Sequence, residues 1–245
     1  MYNKTIWIFG ASKSIGNYTA LGLSKEFNVV CFTRTPVNNN LDNLRYVIID
    51  FTNLDKFKEM ILKELSIKIP DGVVFSQRYR PQSNDINEVE NIINGINTET
   101  LPIVIFFEAL KNIIFKNPIS CILLTSIAGT KTHIDLPIYY HLLKSNLIII
   151  SNFYSIILRS KNVKINIISL GEFYKYNVNQ YNKIEKQKYN KLKKYTFSEK
   201  IIEMKEIFDL IYFLLAKESN AITGQNIYLD GNLSNIAQES IIRKK

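Results

Sequence analysis

The chain of 245 residues has only two cysteines and two histidines, and it lacks any long apolar run. Both cysteines, Cys31 and Cys121, stand in short apolar stretches, where a free thiol behaves as a small hydrophobic side chain. We therefore expect buried thiols rather than a disulfide, and nothing indicates an oxidising compartment. No apolar stretch approaches the roughly 20 residues that a membrane-spanning helix needs.

A secretion signal and an interdomain linker are missing as well. Tyr2 is followed almost at once by an apolar run that begins at Thr5, with no small-residue cleavage site. We therefore expect a cytoplasmic protein. No segment rich in proline, glycine and serine divides the chain, and no internal repeat of fixed period is present. Because 245 residues suit one large α/β domain, we predict a single domain over residues 1–245.

Short apolar runs alternate with helical patterns along the chain. The apolar runs predict strands at Thr5–Phe9, Val29–Thr33, Tyr46–Ile49, Gly72–Phe75, Ser120–Thr125, Lys164–Ser169 and Asn226–Leu229. Apolar residues recurring at three and four positions predict helices at Ser14–Phe27, Asn53–Ser66, Thr98–Asn117, Ile138–Ser160 and Ser198–Lys217. Most strands are almost entirely apolar, which is typical of a parallel sheet covered on both faces. The alternation predicts a doubly wound α/β fold with a parallel seven-stranded sheet, the Rossmann fold.

The least regular segment runs from Gly171 to Thr196, beside the end of the sixth predicted strand. Loops of this length are usually functional or disordered, and we expect this one, the substrate loop, to line a pocket. Its polar side chains include Tyr174, Tyr176, Asn177, Asn179, Gln180 and Tyr181. Much of the net charge of +9 also lies here, on Lys175, Lys183, Lys186, Lys188, Lys191, Lys193 and Lys194. The lysines fit either a solvated surface or attraction to an anionic partner. Nucleic acid is the disfavoured partner, because no nucleic-acid motif accompanies them.

A glycine turn follows the first predicted strand and opens the first predicted helix. It reads Gly10-Ala11-Ser12-Lys13-Ser14-Ile15-Gly16. Glycines let the chain turn tightly and let the backbone approach a pyrophosphate, while the helix N-terminus offers N–H groups to the phosphates. Two glycines also occur in ordinary turns, but the strand–turn–helix context favours dinucleotide binding.

A cation, not a carboxylate, follows the second predicted strand. An NAD site usually has an acidic residue there for the ribose 2′-hydroxyl, whereas an arginine accommodates a 2′-phosphate. This chain has Arg34 and no acidic residue until Asp42, and Lys13 adds a second cation in the glycine turn. The pattern favours NADP(H) as the cofactor, with Arg34 beside its 2′-phosphate. The alternative is that Arg34 is an ordinary surface arginine. Asp50, after the third predicted strand, fits either a contact with the adenine amino group or a turn.

Tyr140 and Lys144 stand four residues apart in a predicted helix, so they share one face. A cation held beside a phenol favours the phenolate, so the pair can act as a proton-transfer device. With 14 tyrosines in the chain, chance pairs at this spacing are expected, and Tyr189 with Lys193 is another. The alternative for Tyr140 is a packed helix tyrosine.

On these residues the chain resembles the short-chain dehydrogenase/reductase family, in its single-domain, NADP-preferring form, over almost its whole length. Beside the glycine turn and Arg34, the matching motifs are Thr125-Ser126-Ile127-Ala128-Gly129, the Tyr140–Lys144 pair, Ile222-Thr223-Gly224-Gln225 and Asp230-Gly231. The resemblance implies the catalytic residues Asn97, Ser126, Tyr140 and Lys144. It implies cofactor contacts from Gly10, Ser12, Lys13, Ser14, Ile15, Gly16, Arg34, Asp50, Phe51, Ser76, Tyr140, Lys144 and Gly171. It implies no metal.

The resemblance also implies a role for each catalytic residue. Tyr140 would exchange a proton with the substrate oxygen, and Lys144 would favour the tyrosinate and bind the nicotinamide ribose. Ser126 would hydrogen-bond the substrate oxygen. Asn97 would hold a water that links Lys144 to solvent. Of the two histidines, His133 fits either substrate contact or an exposed loop, and His141 points away from Tyr140 on the helix.

Three departures from the family pattern affect the cofactor site. Ser14 replaces the usual middle glycine of the glycine turn. Ser76-Gln77-Arg78-Tyr79 replaces the Asn-Asn-Ala-Gly that usually follows the fourth strand, and Leu170-Gly171 replaces Pro-Gly after the sixth. None of these changes removes a group that performs chemistry.

The expected function is NADP(H)-dependent interconversion of a carbonyl and a secondary alcohol on a polar, possibly anionic small molecule such as a nucleotide-linked sugar. A 3-oxoacyl-carrier-protein reductase is the alternative, because a basic rim suits an acidic carrier. A catalytically silent cofactor-sensing or nucleic-acid-binding protein is the alternative from another class. The family resemblance also implies a homotetramer or homodimer.

Overall fold

The computed structural model describes residues 4–38, 41–81, 87–175, 180–216 and 219–236. The strands are β1 (Thr5–Phe9), β2 (Asn28–Thr33), β3 (Leu44–Ile48), β4 (Gly72–Phe75), β5 (Ile119–Ser126), β6 (Val163–Leu170) and β7 (Asn226–Leu229). The α-helices are α1 (Ser14–Leu23), α2 (Leu54–Ile67), α3 (Glu88–Gly95), α4 (Leu101–Lys111), α5 (Ile138–Ile157), α6 (Lys183–Lys193) and α7 (Met204–Leu215). A π-helical turn, Ile96–Thr100, joins α3 to α4.

The strands form one parallel sheet in the order β3-β2-β1-β4-β5-β6-β7. The predicted doubly wound, seven-stranded α/β fold is therefore confirmed. The order reverses between β1 and β4, because the chain leaves β1 toward β2 and returns on the other side of β1. In open α/β sheets such a reversal opens a crevice at the carboxyl ends of the strands, where ligands bind.

Helices cover both faces of the sheet, and each face has its own apolar cluster. On one face, Phe106 of α4 and Leu147 of α5 pack with the apolar side chains of the strands. On the other face, Leu23 of α1 and Ile211 of α7 do the same. This two-sided burial explains why the strands read as continuous apolar runs rather than as alternating patterns.

Stacked phenylalanines hold the centre of the first face. The Phe9 ring lies between Phe32 of β2 and Phe75 of β4, with ring centroids at 4.4 and 4.9 Å. Phe106 of α4 meets the Phe9 ring edge-on at 6.0 Å. Aromatic pairs in these arrangements contribute about 0.5–1.5 kcal/mol each beyond the area they bury. Because Phe9 directly precedes Gly10, this stack anchors the start of the glycine turn.

Two helices lie where no helix was predicted. α3 is short, and its N-cap is the Asn87 side chain, which accepts from the backbone N–H of Glu90. α6 lies inside the substrate loop and begins with a reciprocal capping box between Asn182 and Glu185. The sequence of α6 is rich in lysine, and Tyr189 is the residue that it buries. One buried residue gives no apolar periodicity from which a helix could be predicted. Tyr176, Asn177 and Asn179 of the substrate loop lie outside the described residues.

Both cysteines are buried free thiols, as the apolar context predicted. Burial raises the pKa of the Cys31 thiol to about 12 and also raises the pKa of Cys121. Among the described residues, no helix is long and apolar enough to cross a membrane.

Candidate active site

Four loops meet above the carboxyl edge of the sheet. Because the strands are parallel, β1, β4, β5 and β6 end side by side there, with Phe9 beside Phe75 and Ser126 beside Leu170. The loops enclose a cavity of about 300 Å³. The predicted site residues that line it are Gly10, Lys13, Ser14, Ile15, Gly16, Arg34, Phe51, Ser76, Ser126, Tyr140, Lys144 and Gly171. Ser12, Asp50 and Asn97 are outside this lining.

The glycine turn packs directly against the end of β4. Gly10 has a φ of +83°, and a Cβ there would lie 2.5 Å from the backbone N of Gln77. A Cβ on Gly16 would overlap the carbonyl oxygen of Gly10 and lie 2.6 Å from Ser76 Oγ. Ser76 Oγ in turn donates to the carbonyl of Phe9 at 2.7 Å. Only glycine therefore fits at both positions, and the turn leaves its backbone facing the cavity.

Ser14 has a φ of +53°, in the left-handed region that favours glycine. A non-glycine residue there carries a conformational cost of about 1 kcal/mol or more. The departure at Ser14 therefore changes the residue but keeps the backbone geometry that a glycine would adopt. Such strain is typical of functional turns that the surrounding structure holds in place.

The rim beside β2 carries the predicted cation. Arg34 is exposed one residue after β2 and lines the cavity, as does Lys13. Asp50 instead accepts hydrogen bonds from the backbone N and the hydroxyl of Thr52 at 2.9 and 2.8 Å. These hydrogen bonds are the main reason that the pKa of Asp50 is lowered, and the Arg34 charge adds to them. Asp50 was predicted either to contact the adenine amino group or to stabilise a turn, and in this structure it stabilises the turn.

Ser126, Tyr140 and Lys144 come together in the cavity. Tyr140 and Lys144 lie one turn apart on α5, and Lys144 Nζ is 5.4 Å from the centroid of the Tyr140 ring. Ser126 ends β5, and its Oγ accepts from the backbone N of Ala128 at 3.2 Å. Thr125 Oγ1 donates to the carbonyl of Lys144 at 2.9 Å, which ties the end of β5 to this part of α5.

The neighbouring tyrosines that could compete with Tyr140 face elsewhere. Tyr139 packs edge-on against Tyr79 at 5.9 Å, and burial raises its pKa. Tyr189 is buried on α6, and burial raises its pKa as well. Neither lines the cavity. The pair Tyr189 and Lys193 therefore lacks the setting of Tyr140 and Lys144.

A buried carboxylate meets the site lysine, and sequence reasoning missed it. Lys144 Nζ pairs with Glu99 Oε2, and the two residues are only 4% and 1% exposed. The other oxygen, Glu99 Oε1, accepts the backbone N–H of Tyr79 at 2.6 Å. Glu99 lies in the π-helical turn, two residues after Asn97. The feature of the sequence that could have drawn attention to Glu99 is an acidic residue just before the apolar helix α4.

Asn97 is half buried in the same π-helical turn. Of this turn, Thr98 lines the cavity. Lys144 instead makes its direct ion pair with Glu99, two residues after Asn97. The replaced segment after β4 takes part in this arrangement, since Tyr79 donates to Glu99 and the Gln77 amide lies 3.4 Å from the Glu99 carbonyl.

His133 lines the cavity and is half buried, so its position favours contact with a ligand over an exposed loop. Burial and the nearby His141 lower the pKa of His133. His141 has its Nδ1 at 2.8 Å from the carbonyl oxygen of Ala128 and is not part of the lining. Four further lining residues carry charge: Arg78, Arg80, Glu172 and Lys175.

Comparison with known proteins gives one family and one fold. The family model described as Enoyl-(Acyl carrier protein) reductase matches residues 84–234. No curated protein matches the chain. Among solved structures, ElxO with NADP bound is 18% identical with a TM-score of 0.79, covering 95% of this chain and 99% of that chain.

Two further solved structures share the fold at similar identity. A short-chain type dehydrogenase/reductase from Mycobacterium ulcerans is 20% identical with a TM-score of 0.80, covering 96% of this chain and 91% of that one. A short chain dehydrogenase from Leptospira borgpetersenii with bound NAD+ is 20% identical with a TM-score of 0.79, covering 96% and 94%. The observed sheet and helices are therefore the architecture of these enzymes.

The buried Lys144–Glu99 pair generates a prediction about stability. Replacing Glu99 by Gln leaves the Lys144 cation buried without a counter-charge, so we expect the free energy of unfolding to fall by about 3 kcal/mol. Urea denaturation followed by circular dichroism measures this change. Asp209→Asn on α7, which removes the exposed pair with Lys205, is the matched control and should leave stability unchanged. Equal stability of the two variants would show that Glu99 does not hold Lys144.

Proposed function

Because this chain belongs to the short-chain dehydrogenase/reductase family of oxidoreductases, we propose that it interconverts a carbonyl and a secondary alcohol with NADP(H). The proposed substrate is a polar small molecule such as a nucleotide-linked sugar. The observation that carries the proposal is the meeting of Ser126, Tyr140 and Lys144 in one cavity that also holds Lys13 and Arg34. The first three are suited to proton handling and the last two to phosphate.

The residues of the cavity fit a nicotinamide dinucleotide. Gly10 and Gly16 leave backbone exposed where a side chain would not fit, which suits close approach of a pyrophosphate. Gln77 Oε1 is buried, has no hydrogen-bond partner among the described residues and belongs to a residue that lines the cavity. A ligand hydroxyl or amide could satisfy it. The cofactor, when bound, supplies or accepts the hydride.

The protein supplies proton transfer and orientation. Tyr140 would give its phenolic proton to the carbonyl oxygen during reduction and take it back during oxidation. The Lys144 cation beside the ring stabilises the resulting phenolate. Ser126 Oγ already accepts from Ala128 N, so its own hydrogen is free to be donated to the substrate oxygen. That hydrogen bond would orient the carbonyl toward Tyr140.

A carrier-linked acyl group is the second candidate substrate, and the description of the matching family model is compatible with it. The exposed lysines of α6, among them Lys183, Lys186 and Lys191, would form its basic docking surface. Turnover of a 3-oxoacyl carrier protein that is lost on charge reversal of Lys191, Lys193 and Lys194 would support this candidate. Turnover that survives the reversal would count against docking at this surface.

A homotetramer or homodimer is supported by the outer face of α5. Ile149, Phe153 and Ile156 are spaced four and three residues apart, so they share one face, and they are 68%, 55% and 64% exposed. An apolar stripe of this kind on a helix is typical of an interaction surface. A second copy of the chain is the proposed occupant.

The Tyr140 assignment is tested with Tyr140→Phe, which removes the proton donor and keeps the ring. We expect turnover of the best keto-sugar in a panel to fall by about 100-fold or more, with NADPH binding retained. Steady-state NADPH oxidation and fluorescence titration measure the two quantities. Tyr139→Phe is the control and should keep its activity. If no carbonyl of the panel leads the wild-type protein to oxidise NADPH, the result supports the alternative of a catalytically silent protein.

The Arg34 assignment is tested by cofactor preference. Arg34→Ala removes a charged hydrogen-bond donor for the 2′-phosphate, so the Kd for NADPH should rise by about 10- to 100-fold, while the Kd for NADH stays the same. Arg159→Ala, an exposed arginine of the turn Arg159–Lys161, should change neither value. Tighter binding of NADH than of NADPH by the wild-type protein would overturn the preference for NADP(H).

The oligomer is tested with Phe153→Glu, which places a charge in the apolar stripe of α5. We expect the particle mass in light scattering after size exclusion to fall by half or more. Ile67→Glu changes another exposed apolar residue, at the end of α2, and should leave the mass unchanged. A wild-type protein that runs as a monomer at micromolar concentration would rule the proposal out.

A further inference from the structure

Three cations surround the reacting end of the cavity and have no assigned role. Arg78 and Arg80 follow β4, Lys175 follows β6, and all three line the same cavity as Tyr140. Among the described residues, no carboxylate lies within 4 Å of any of these three charges. The acidic lining residue Glu172 is paired with Lys188 at 2.5 Å. The cavity therefore gathers positive charge that no carboxylate of the described residues neutralises by direct pairing.

Arg78 lies directly on the tyrosine of the site. Its guanidinium carbon is 4.9 Å from the centroid of the Tyr140 ring, a distance at which the cation is attracted to the ring face. This contact positions the guanidinium beside Tyr140 while its N–H groups remain available, and Arg78 is exposed to the cavity. Arginine offers a planar fork of donors that matches carboxylate and phosphate oxygens.

Lys175 lines the cavity from the substrate loop, on a backbone that is held in place. Its backbone N donates to the Tyr181 hydroxyl at 2.6 Å. The preceding residue, Tyr174, donates its backbone N–H to the carbonyl of Ile202 at 2.9 Å. Tyr174 and Tyr181 pack with the buried Tyr189 in one cluster. The aromatic residues of the substrate loop thus fix the position from which Lys175 enters the cavity.

The charges of this group act on one another. Lys175 is half buried, and burial lowers its pKa, as do the nearby charges of Arg78 and Arg80. Interactions with Glu172 and Tyr140 act to raise the pKa of Lys175. Like charges held together in a partly buried cavity repel each other until an anion enters between them. The arrangement is therefore more favourable with an anionic ligand than without one.

We infer that Arg78 and Lys175 form a subsite for an anionic group, a carboxylate or a phosphate, on the substrate that Tyr140 protonates. The inference rests on the proposed function and narrows its substrate class. Charged hydrogen bonds from arginine and lysine to such oxygens are about 2.7–2.9 Å long. With Arg78 against the ring of Tyr140, the bound anion lies only a few bonds from the reacting carbonyl. Keto acids, keto-sugar phosphates and nucleotide-linked keto-sugars meet this condition, whereas neutral ketones do not.

The pyrophosphate of the cofactor is a second anionic group that Arg78 and Lys175 could bind. In the proposed function, the glycine turn with Lys13, together with Arg34 after β2, would serve the phosphates of the cofactor. Arg78 is instead in contact with the ring of Tyr140, and Lys175 enters from the substrate loop. Their place in the cavity assigns the two residues to the substrate. The experiment below separates the two sources.

The test uses Arg78→Gln and Lys175→Gln, which remove the charge at similar side-chain size, with Arg159→Gln as the control. Turnover is compared for matched pairs of carbonyl compounds, such as dihydroxyacetone phosphate with dihydroxyacetone, and a 2-oxo acid with its amide. For the wild-type protein we expect kcat/KM to be at least about 10-fold higher for the charged member. Each variant should lower this preference by about 10-fold through KM, and the control should keep it.

Binding without turnover provides the second readout. Inorganic phosphate and malonate are added to the NADPH-saturated protein, so that the phosphate-binding part of the cavity is occupied. Thermal stabilisation by either anion should occur in the wild-type protein and in Arg159→Gln, and should be lost in both site variants. This readout judges the subsite even if no carbonyl of the panel is turned over, a result that would count against the proposed function alone.

Two results would overturn the inference. Unchanged preference and unchanged stabilisation in both variants would show that Arg78 and Lys175 bind no anion. A rise of 10-fold or more in the Kd for NADPH, with the substrate preference unchanged, would assign the two cations to the cofactor. Circular dichroism and urea denaturation of each variant confirm that the loss is not one of folding, since Arg78 is exposed and Lys175 only half buried.

Discussion

The buried ion pair between Lys144 and Glu99 connects three separate elements of the site. Lys144 belongs to α5, Glu99 to the π-helical turn before α4, and the backbone N–H that completes the carboxylate belongs to Tyr79, just after β4. A lysine that is only 4% exposed needs a counter-charge, because an unpaired buried cation is strongly unfavourable. The pair therefore fixes the side of α5 from which Tyr140 faces the cavity. It also accounts for the unusual segment after β4, whose backbone and Gln77 side chain face Glu99 rather than repeating the family pattern.

Charge is distributed unevenly within the cavity. Lys13 lies in the glycine turn and Arg34 just after β2, whereas Lys175 interacts with Arg78, Arg80 and Tyr140. Positive potential in a partly closed cavity concentrates anions and favours anionic ligands at both ends. The lysines of α6 extend the same sign of charge across the outer surface. The basic composition of the chain is thus more than a surface property, since part of it faces the site of the proposed reaction.

Most of the fold followed from patterns that are local in the chain. The continuous apolar strands, the glycine turn and the spacing of Tyr140 and Lys144 each depend on neighbouring residues, so each could be recognised without the structure. α3 and α6 were missed because short or lysine-rich helices show little apolar periodicity, and α6 depends on its capping box and on burial of Tyr189. Glu99 was missed because nothing near it in the chain shows that its partner lies 45 positions away. Asn97 was named from the resemblance and stays a prediction, while the structure adds the neighbouring Glu99 as the direct partner of Lys144.

The sequence by itself determined the sheet, the dinucleotide-type turn and the identity of Ser126, Tyr140 and Lys144 as a group, because local periodicity and short motifs carry that information. Only the tertiary structure decided which charges meet. Glu99 reaches Lys144, Arg78 reaches Tyr140 and Lys175 lines the same cavity, although these residues lie on separate elements. The physical reason is that parallel strands bring the loops after β1, β4, β5 and β6 to one edge of the sheet. Electrostatic interactions there depend on distance in space and not on separation along the chain.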